Sequence, residues 1–265
     1  MTKIIILPFL CLVASLSAAP TREAFALEER SITGVPIDAF ELGDDNLTIE
    51  LWARSPMIFS PVAMDFDAQG RLWTTEGIDY QRGMRIKEGR SIIVLEDKDW
   101  DGKADSSHVF VTEKEIRHAA LGIAVFDNRI VLSSTPSIIV YTDVNRNAVF
   151  DEGVDKREVF LTGFRDASHD HTLHAVVGAP SGQWHFSYGN RGADIKTKDG
   201  RHHISGCYYG YSDGIGKKSS DGEVYVGGMT MRVNPDGTGL TPTGENMRNS
   251  HDMFVSSFGD IYQSD

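Results

Sequence analysis

The chain has 265 residues, with 38 acidic against 26 basic side chains and a net charge of -12 at pH 7. A nucleic acid would demand the opposite sign of charge, so that class of partner is excluded. Its 2 cysteines cannot build a disulfide framework, and no segment after the N-terminal apolar run approaches the roughly 20 apolar residues that span a bilayer.

The first segment is read as targeting rather than fold. Lys3, the apolar run from Ile4 to Ala14 and the pattern Ala24-Phe25-Ala26 form a secretory signal over residues 1–26. Ser17-Ala18-Ala19, followed by Pro20, is the poorer cleavage choice. The mature chain is therefore expected to be exported, periplasmic or extracellular, with Cys207 as its single cysteine. Residues 27–60 read as a lead-in with a first strand at Leu47–Trp52, and residues 61–265 as one all-β domain.

Within that domain the apolar segments are short, rich in β-branched and aromatic residues, and separated by Gly, Asp, Asn and Pro. Ser91–Leu95, Arg129–Leu132, Ser137–Tyr141 and Gln183–Tyr188 are predicted strands, and Lys114–Ala120 is the single candidate helical turn. A turn followed by a hydrophobic strand recurs four times, at Gly70-Arg71-Leu72-Trp73, Asn128-Arg129-Ile130-Val131, Gly182-Gln183-Trp184-His185 and Gly259-Asp260-Ile261-Tyr262. A second phrase repeats as well. Ser91-Ile92-Ile93-Val94 leads into an acidic loop at Asp97, and Ser137-Ile138-Ile139-Val140 into another at Asp143. Each loop then enters a further strand, at His108–Thr112 and Glu158–Thr162. This two-part repetition predicts β-propeller blades near 61–113, 119–163 and 171–245, with the opening strand of a fourth. Propellers close radially to protect their edges. This span is therefore expected to be part of a ring, completed by a longer protein or by another chain.

Two loops carry metal-type spacing. Asp97, Asp99, Asp101 and Asp105, with Gly102 at the sixth place, reproduce most of a calcium loop, although His108 stands where the bidentate Glu belongs. The competing reading is a solvated Asp/Gly turn, and calcium is placed ahead of it. In the second loop Asp143, Asn145, Asn147 and Asp151 fit calcium and a plain polar loop equally. Further on, His169-Asp170-His171-Thr172-Leu173-His174 has a superficial zinc-hydrolase spacing. Leu173 occupies the place of the required Asp and the alternating helices of that fold are missing, so zinc is set aside. His169 and His174 are read as residues of a polar strand entry. Trp73, Trp184 and the cluster Tyr208-Tyr209-Tyr211 are read as buried aromatics rather than sugar platforms.

Asp170-His171, then Val176-Val177-Gly178, Pro180 and Trp184-His185-Phe186-Ser187-Tyr188-Gly189-Asn190, resembles the active-site blade of soluble quinoprotein glucose and sorbosone dehydrogenases. Arg248-Asn249-Ser250 and Gly259-Asp260-Ile261-Tyr262-Gln263-Ser264-Asp265 resemble a later segment of the same family. The span from about Ser60 onward is closer still to the propeller domain of membrane-bound dehydrogenases of planctomycete-type bacteria, through Gly70-Arg71-Leu72-Trp73, the stretch from Leu95 to Asp105, and the stretch from Phe258 to Asp265. The resemblance implies a six-bladed-type propeller that passes hydride from a sugar or alcohol to pyrroloquinoline quinone, with a c-type cytochrome as one kind of electron acceptor. It makes His171 the general base, Arg248 the contact to the anionic quinone and Asn249 its assistant. Histidine suits a base because it titrates near working pH. Where that family orients the His with an Asp, this chain has Asn190, which can hydrogen-bond an imidazole but cannot stabilise its cation by charge. That departure keeps open a non-catalytic, calcium-stabilised propeller that binds carbohydrate or protein, and an inactive fragment.

Overall fold

A computed structural model of the chain describes residues 37–77, 89–113, 120–165 and 170–264. The predicted signal over 1–26, the candidate helical turn at Lys114–Ala120 except its last residue, and His169 lie outside these residues. Strands dominate. The helical elements among the described residues are two single 3-10 turns, Ile37–Ala39 and Ser212–Gly214.

Three four-stranded antiparallel sheets follow one another along the chain. The first joins β1 (Pro61–Phe66), β2 (Leu72–Glu76), β3 (Arg90–Glu96) and β4 (Ser106–Glu113) in that order. The second repeats the plan with β5 (Gly122–Phe126), β6 (Arg129–Ser134), β7 (Ser137–Thr142) and β8 (Lys156–Thr162). The third begins with β9 (Leu173–Gly178) and β10 (Trp184–Tyr188). It then admits an insert of three short strands, β11 (Ala193–Lys196), β12 (His202–Gly206) and β13 (Tyr225–Val226). It finishes with β14 (Gly228–Val233) and β15 (Thr241–Met247), ordered β9-β10-β14-β15. A hairpin of β16 (Met253–Val255) and β17 (Ile261–Gln263) comes last, so the start of a fourth sheet holds two strands rather than the one expected.

The repeated turn phrases have a backbone cause. Each lies between the first and second strands of a sheet, where the chain needs a residue in the left-handed region; Gly70, Gly182 and Gly259 supply it in three sheets and Asp127 in the other. The first strands lie side by side. Val125 N–H donates to Asp65 Oδ2 at 2.7 Å, and a Cβ on Gly122 would meet the His174 carbonyl while one on Gly178 would meet the Phe126 ring. Hence β1, β5 and β9 run in the same direction, and β16 continues the series against β9. A cavity of about 690 Å³ runs along these strands, with Asp65, Val125, Val177, His251 and Asp252 in its wall. The sheets are not closed into a ring among the described residues.

Period-two alternation explains the packing. Ile130 and Leu132 of β6, with Ile139 and Tyr141 of β7, face the first sheet and join Trp73, Ile92, Val94 and Phe110. Val131, Ile138 and Val140 point the other way and join Trp184, Phe186, Met229 and Met231 of the third sheet. The middle sheet is covered on both faces, so its central strands read as continuous apolar runs. Each such side chain removed from water contributes about 1.5–3 kcal/mol. Leu72, Ile93 and Leu95, on the outer face of the first sheet, are covered by Trp52, Ala53, Met57 and Ile58.

That cover corrects one expectation. Leu47–Trp52 forms no strand; it runs as an irregular segment whose tie to the domain includes a hydrogen bond from Ala104 N–H to the Trp52 carbonyl at 2.8 Å. β-branched residues fit a pleated surface, but a ladder needs a partner edge, and this segment lies across a sheet face instead.

Candidate functional site

The four residues that the sequence nominated as catalytic or cofactor-binding meet at one end of the third sheet. His171 stands just before β9, Asn190 just after β10, and Arg248 and Asn249 just after β15. Strand order puts the start of β9 and the ends of β10 and β15 on the same edge. His171 is buried, and its Nδ1 lies 2.7 Å from Asn190 Oδ1. An amide oxygen only accepts, so Nδ1 carries the proton and the lone pair belongs to Nε2. Asn190 is itself held, its N–H donating to the Arg248 carbonyl at 2.8 Å, while Gly189 N–H donates to the Thr172 carbonyl at 2.7 Å. Gly189 cannot be replaced cheaply: a Cβ there would stand 2.6 Å from Asn249 Oδ1 and 2.8 Å from the His171 Cα.

Several neighbours escaped sequence reasoning. His174 is fully buried and its Nε2 lies 2.7 Å from Asn249 Oδ1, so it positions that side chain. Burial lowers the His174 pKa to about 4 against the opposing pull of Asn249, which keeps the ring neutral at pH 7. The Asp170 carboxylate comes within 4.0 Å of His171 Nε2. The Tyr209 ring lies tilted at 5.8 Å from that of His171, and the Arg191 guanidinium covers Tyr209 at 4.7 Å while donating to its carbonyl at 2.7 Å. Tyr208 and Tyr209 are exposed rather than buried, because they sit on the loop between β12 and β13 and not on a sheet. The long interval between the third and fourth turn phrases was the available signal that an insert reaches this edge. Trp73 and Trp184 are buried, as read. Among the residues described, Arg248 and Arg191 give this edge two guanidinium groups near the His171 imidazole, a donor set that suits an anionic planar ligand.

The acidic loops lie at the opposite end, between the third and fourth strands of the first two sheets. Oxygens of Asp97, Asp99 and Asp105 lie within 4.8 Å of one another. Gly102 N–H donates to Asp97 Oδ2 at 3.0 Å, while Asp97 Oδ1 is buried with no hydrogen-bond partner. Asp101 stands outside this convergence and accepts from Lys103 N–H at 2.9 Å. In the second loop Asp151 accepts from the amides of Asn145 and Asn147 at 2.7 and 2.8 Å, and buried Asp143 accepts from Asn147 and Ala148 N–H.

Successive sheets with their first strands side by side, and a polar edge built on the strand ends, define an all-β protein of the β-propeller kind. The chain belongs to the family described as "Domain of unknown function (DUF7133)", whose profile matches residues 37–265. No curated protein matches it. Among solved structures it is similar to the holo pyrroloquinoline quinone domain of pyranose dehydrogenase from Coprinopsis cinerea, at 18% identity over 78% of this chain and 43% of that one, TM-score 0.46. It is also similar to virginiamycin B lyase from Staphylococcus aureus, at 12% identity over 77% of this chain and 63% of the other, TM-score 0.37. A third is the calcium structure of a Trichoderma reesei carbohydrate-active enzyme of family AA12, at 13% identity over 50% and 30%, TM-score 0.35. The chain spans less than two thirds of the length of each. Every TM-score is below 0.5, so the strand order and packing above carry the fold. Among the described residues no helix is long and apolar enough to cross a membrane.

Proposed function

We propose that this chain is the front part of a six-bladed-type, exported propeller that oxidises a sugar or alcohol, with His171 as general base and pyrroloquinoline quinone as cofactor. The observation that carries the reading is the 2.7 Å contact of His171 Nδ1 with Asn190 Oδ1 in a buried setting. It holds the proton on Nδ1 and leaves the Nε2 lone pair to take the substrate hydroxyl proton. When bound, the quinone would supply the hydride acceptor for the carbon that bears this hydroxyl, which would become a carbonyl, and an acceptor protein such as a c-type cytochrome would take the two electrons onward. Arg248, with Arg191 close by, would hold the carboxylates of the cofactor, and Asn249, held by His174, would assist. Asp170 supplies negative charge near the imidazolium, which the neutral Asn190 does not; its half-exposed position makes that contribution modest. Calcium at Asp97, Asp99 and Asp105 stabilises the first sheet and takes no part in the chemistry.

The test is titration of purified protein with pyrroloquinoline quinone, with and without calcium, followed by absorbance and calorimetry. Saturable binding of one quinone per chain is expected. His171→Ala should then lower dye-linked oxidation by about 10²–10⁴-fold with an unchanged circular dichroism spectrum. Retained activity would remove His171 as base. A second reading, a calcium-stabilised binding propeller without catalysis, is favoured by the amide at Asn190 in place of a carboxylate. Failure of folded protein to bind the quinone would select it.

A further inference from the structure

Trp100, at the tip of the first acidic loop, is 76% exposed and has a φ of +61°. Arg146, at the equivalent fourth place of the second acidic loop, has a φ of +60°, so the left-handed backbone belongs to this loop fold and sets the indole at its tip. Its indole leans on the turn between β1 and β2: a Cβ on Gly70 would stand 2.8 Å from Trp100 Cη2, and Gly70 leaves that room. Below it, between the first two sheets, lies a cavity of about 490 Å³, within the size range of small-molecule sites. Its wall combines Trp100 and buried Trp73 and Ile130 with Arg71, Asp127 and Arg146.

The basic groups on this wall, Arg71, Lys98 and Arg146, are already matched. Arg71 Nε donates to Asp67 at 2.6 Å, and Arg146 makes two bonds of 2.6 Å to Asp127. Lys98 Nζ lies 3.5 Å from Glu96. An anionic ligand would have to break one of these pairs. A neutral polyol would not, because hydroxyls both donate and accept, and its C–H faces suit an exposed indole. We propose that this cavity binds a neutral oligosaccharide, with a sugar ring against Trp100. The site is distinct from that of His171. β1, β5 and β9 run together, His171 stands at their starting end, and the cavity stands at the turns that follow β1 and β5. The proposal therefore does not rest on the dehydrogenase reading.

Calorimetry and tryptophan fluorescence with cello-, malto- and manno-oligosaccharides test it, on wild type, Trp100→Gly and His171→Ala. At least one series should bind wild type and His171→Ala equally, and Kd should weaken about tenfold or more in Trp100→Gly. Glycine accepts this backbone conformation without strain, so the same variant should keep or raise the melting temperature. Absence of binding by folded wild type, binding that survives Trp100→Gly, or binding lost in His171→Ala would each overturn the proposal. So would preferential, salt-sensitive binding of sulfated oligosaccharides used as a charged probe.

Discussion

The loops that join β3 to β4 and β7 to β8 share a spacing and a place in successive sheets, yet they satisfy their carboxylates differently. In the first, Asp97, Asp99 and Asp105 converge, and one buried oxygen of Asp97 lacks a hydrogen-bond donor. In the second, Asn replaces Asp at the third and fifth places. Those amides donate to Asp151, and Asp155 accepts from Val144 and Asp151 N–H at 2.8 Å each. A loop with amide donors closes on itself, whereas a loop with an excess of acceptors is completed by a hard cation. Two residue identities, not the spacing, separate a self-sufficient turn from the loop proposed to hold calcium.

The comparison breaks most sharply on calcium. Replacing Asp97, Asp99 and Asp105 together by Asn should abolish calcium-dependent stabilisation, worth about 2.7 kcal/mol when free calcium is a hundredfold above Kd. In chelator the variant should melt no lower than wild type, because like charges have been removed. Equal destabilisation in calcium and in chelator, read by thermal unfolding, would end the calcium assignment. Asp143→Ala probes the second loop: it orphans two N–H groups beside a buried site and should cost about 1–3 kcal/mol, identically with and without calcium. A loss seen only in calcium would make the two loops alike.

Acid offers a smaller, calcium-independent contrast. Burial lowers the His203 pKa to about 4, below its unfolded value. Between pH 6.5 and 4 the unfolded chain therefore binds the proton that the fold refuses, and stability falls as pH falls. At pH 5 this histidine should cost about 2 kcal/mol relative to pH 7.5. His203→Gln should remove that part of the pH slope in urea melts whether or not calcium is present. An unchanged slope would mean that His203 titrates normally in the fold.

Much of the fold was readable from local chemistry. Turn phrases such as Gly70-Arg71 and Gly182-Gln183 mark positions where the backbone must turn left-handed before a strand, and these phrases lie between the first and second strands of their sheets. Runs such as Ile92-Ile93-Val94 and Ile138-Ile139-Val140 are apolar throughout because sheets or covering chain pack on both of their faces. Leu47–Trp52 was misread for the converse reason. Its residues suit a strand, but no edge lies beside it.

The site divides along the same line. Sequence alone determined the all-β class and the acidic character, since residue type and short-range spacing are local properties, while His171, Asn190, Arg248 and Asn249 were nominated by the family resemblance of the segments that hold them. Tertiary structure decided what those residues touch. It set Asn190 on His171 Nδ1 and His174 on Asn249, and carried Tyr209 through the insert to the edge where Asp170 and Arg191 stand. Asn190 and Tyr209 stand 19 and 38 positions beyond His171, and Asn249 lies 75 beyond His174. Contacts across such separations depend on strand order and on where an insert folds back, which no local pattern encodes.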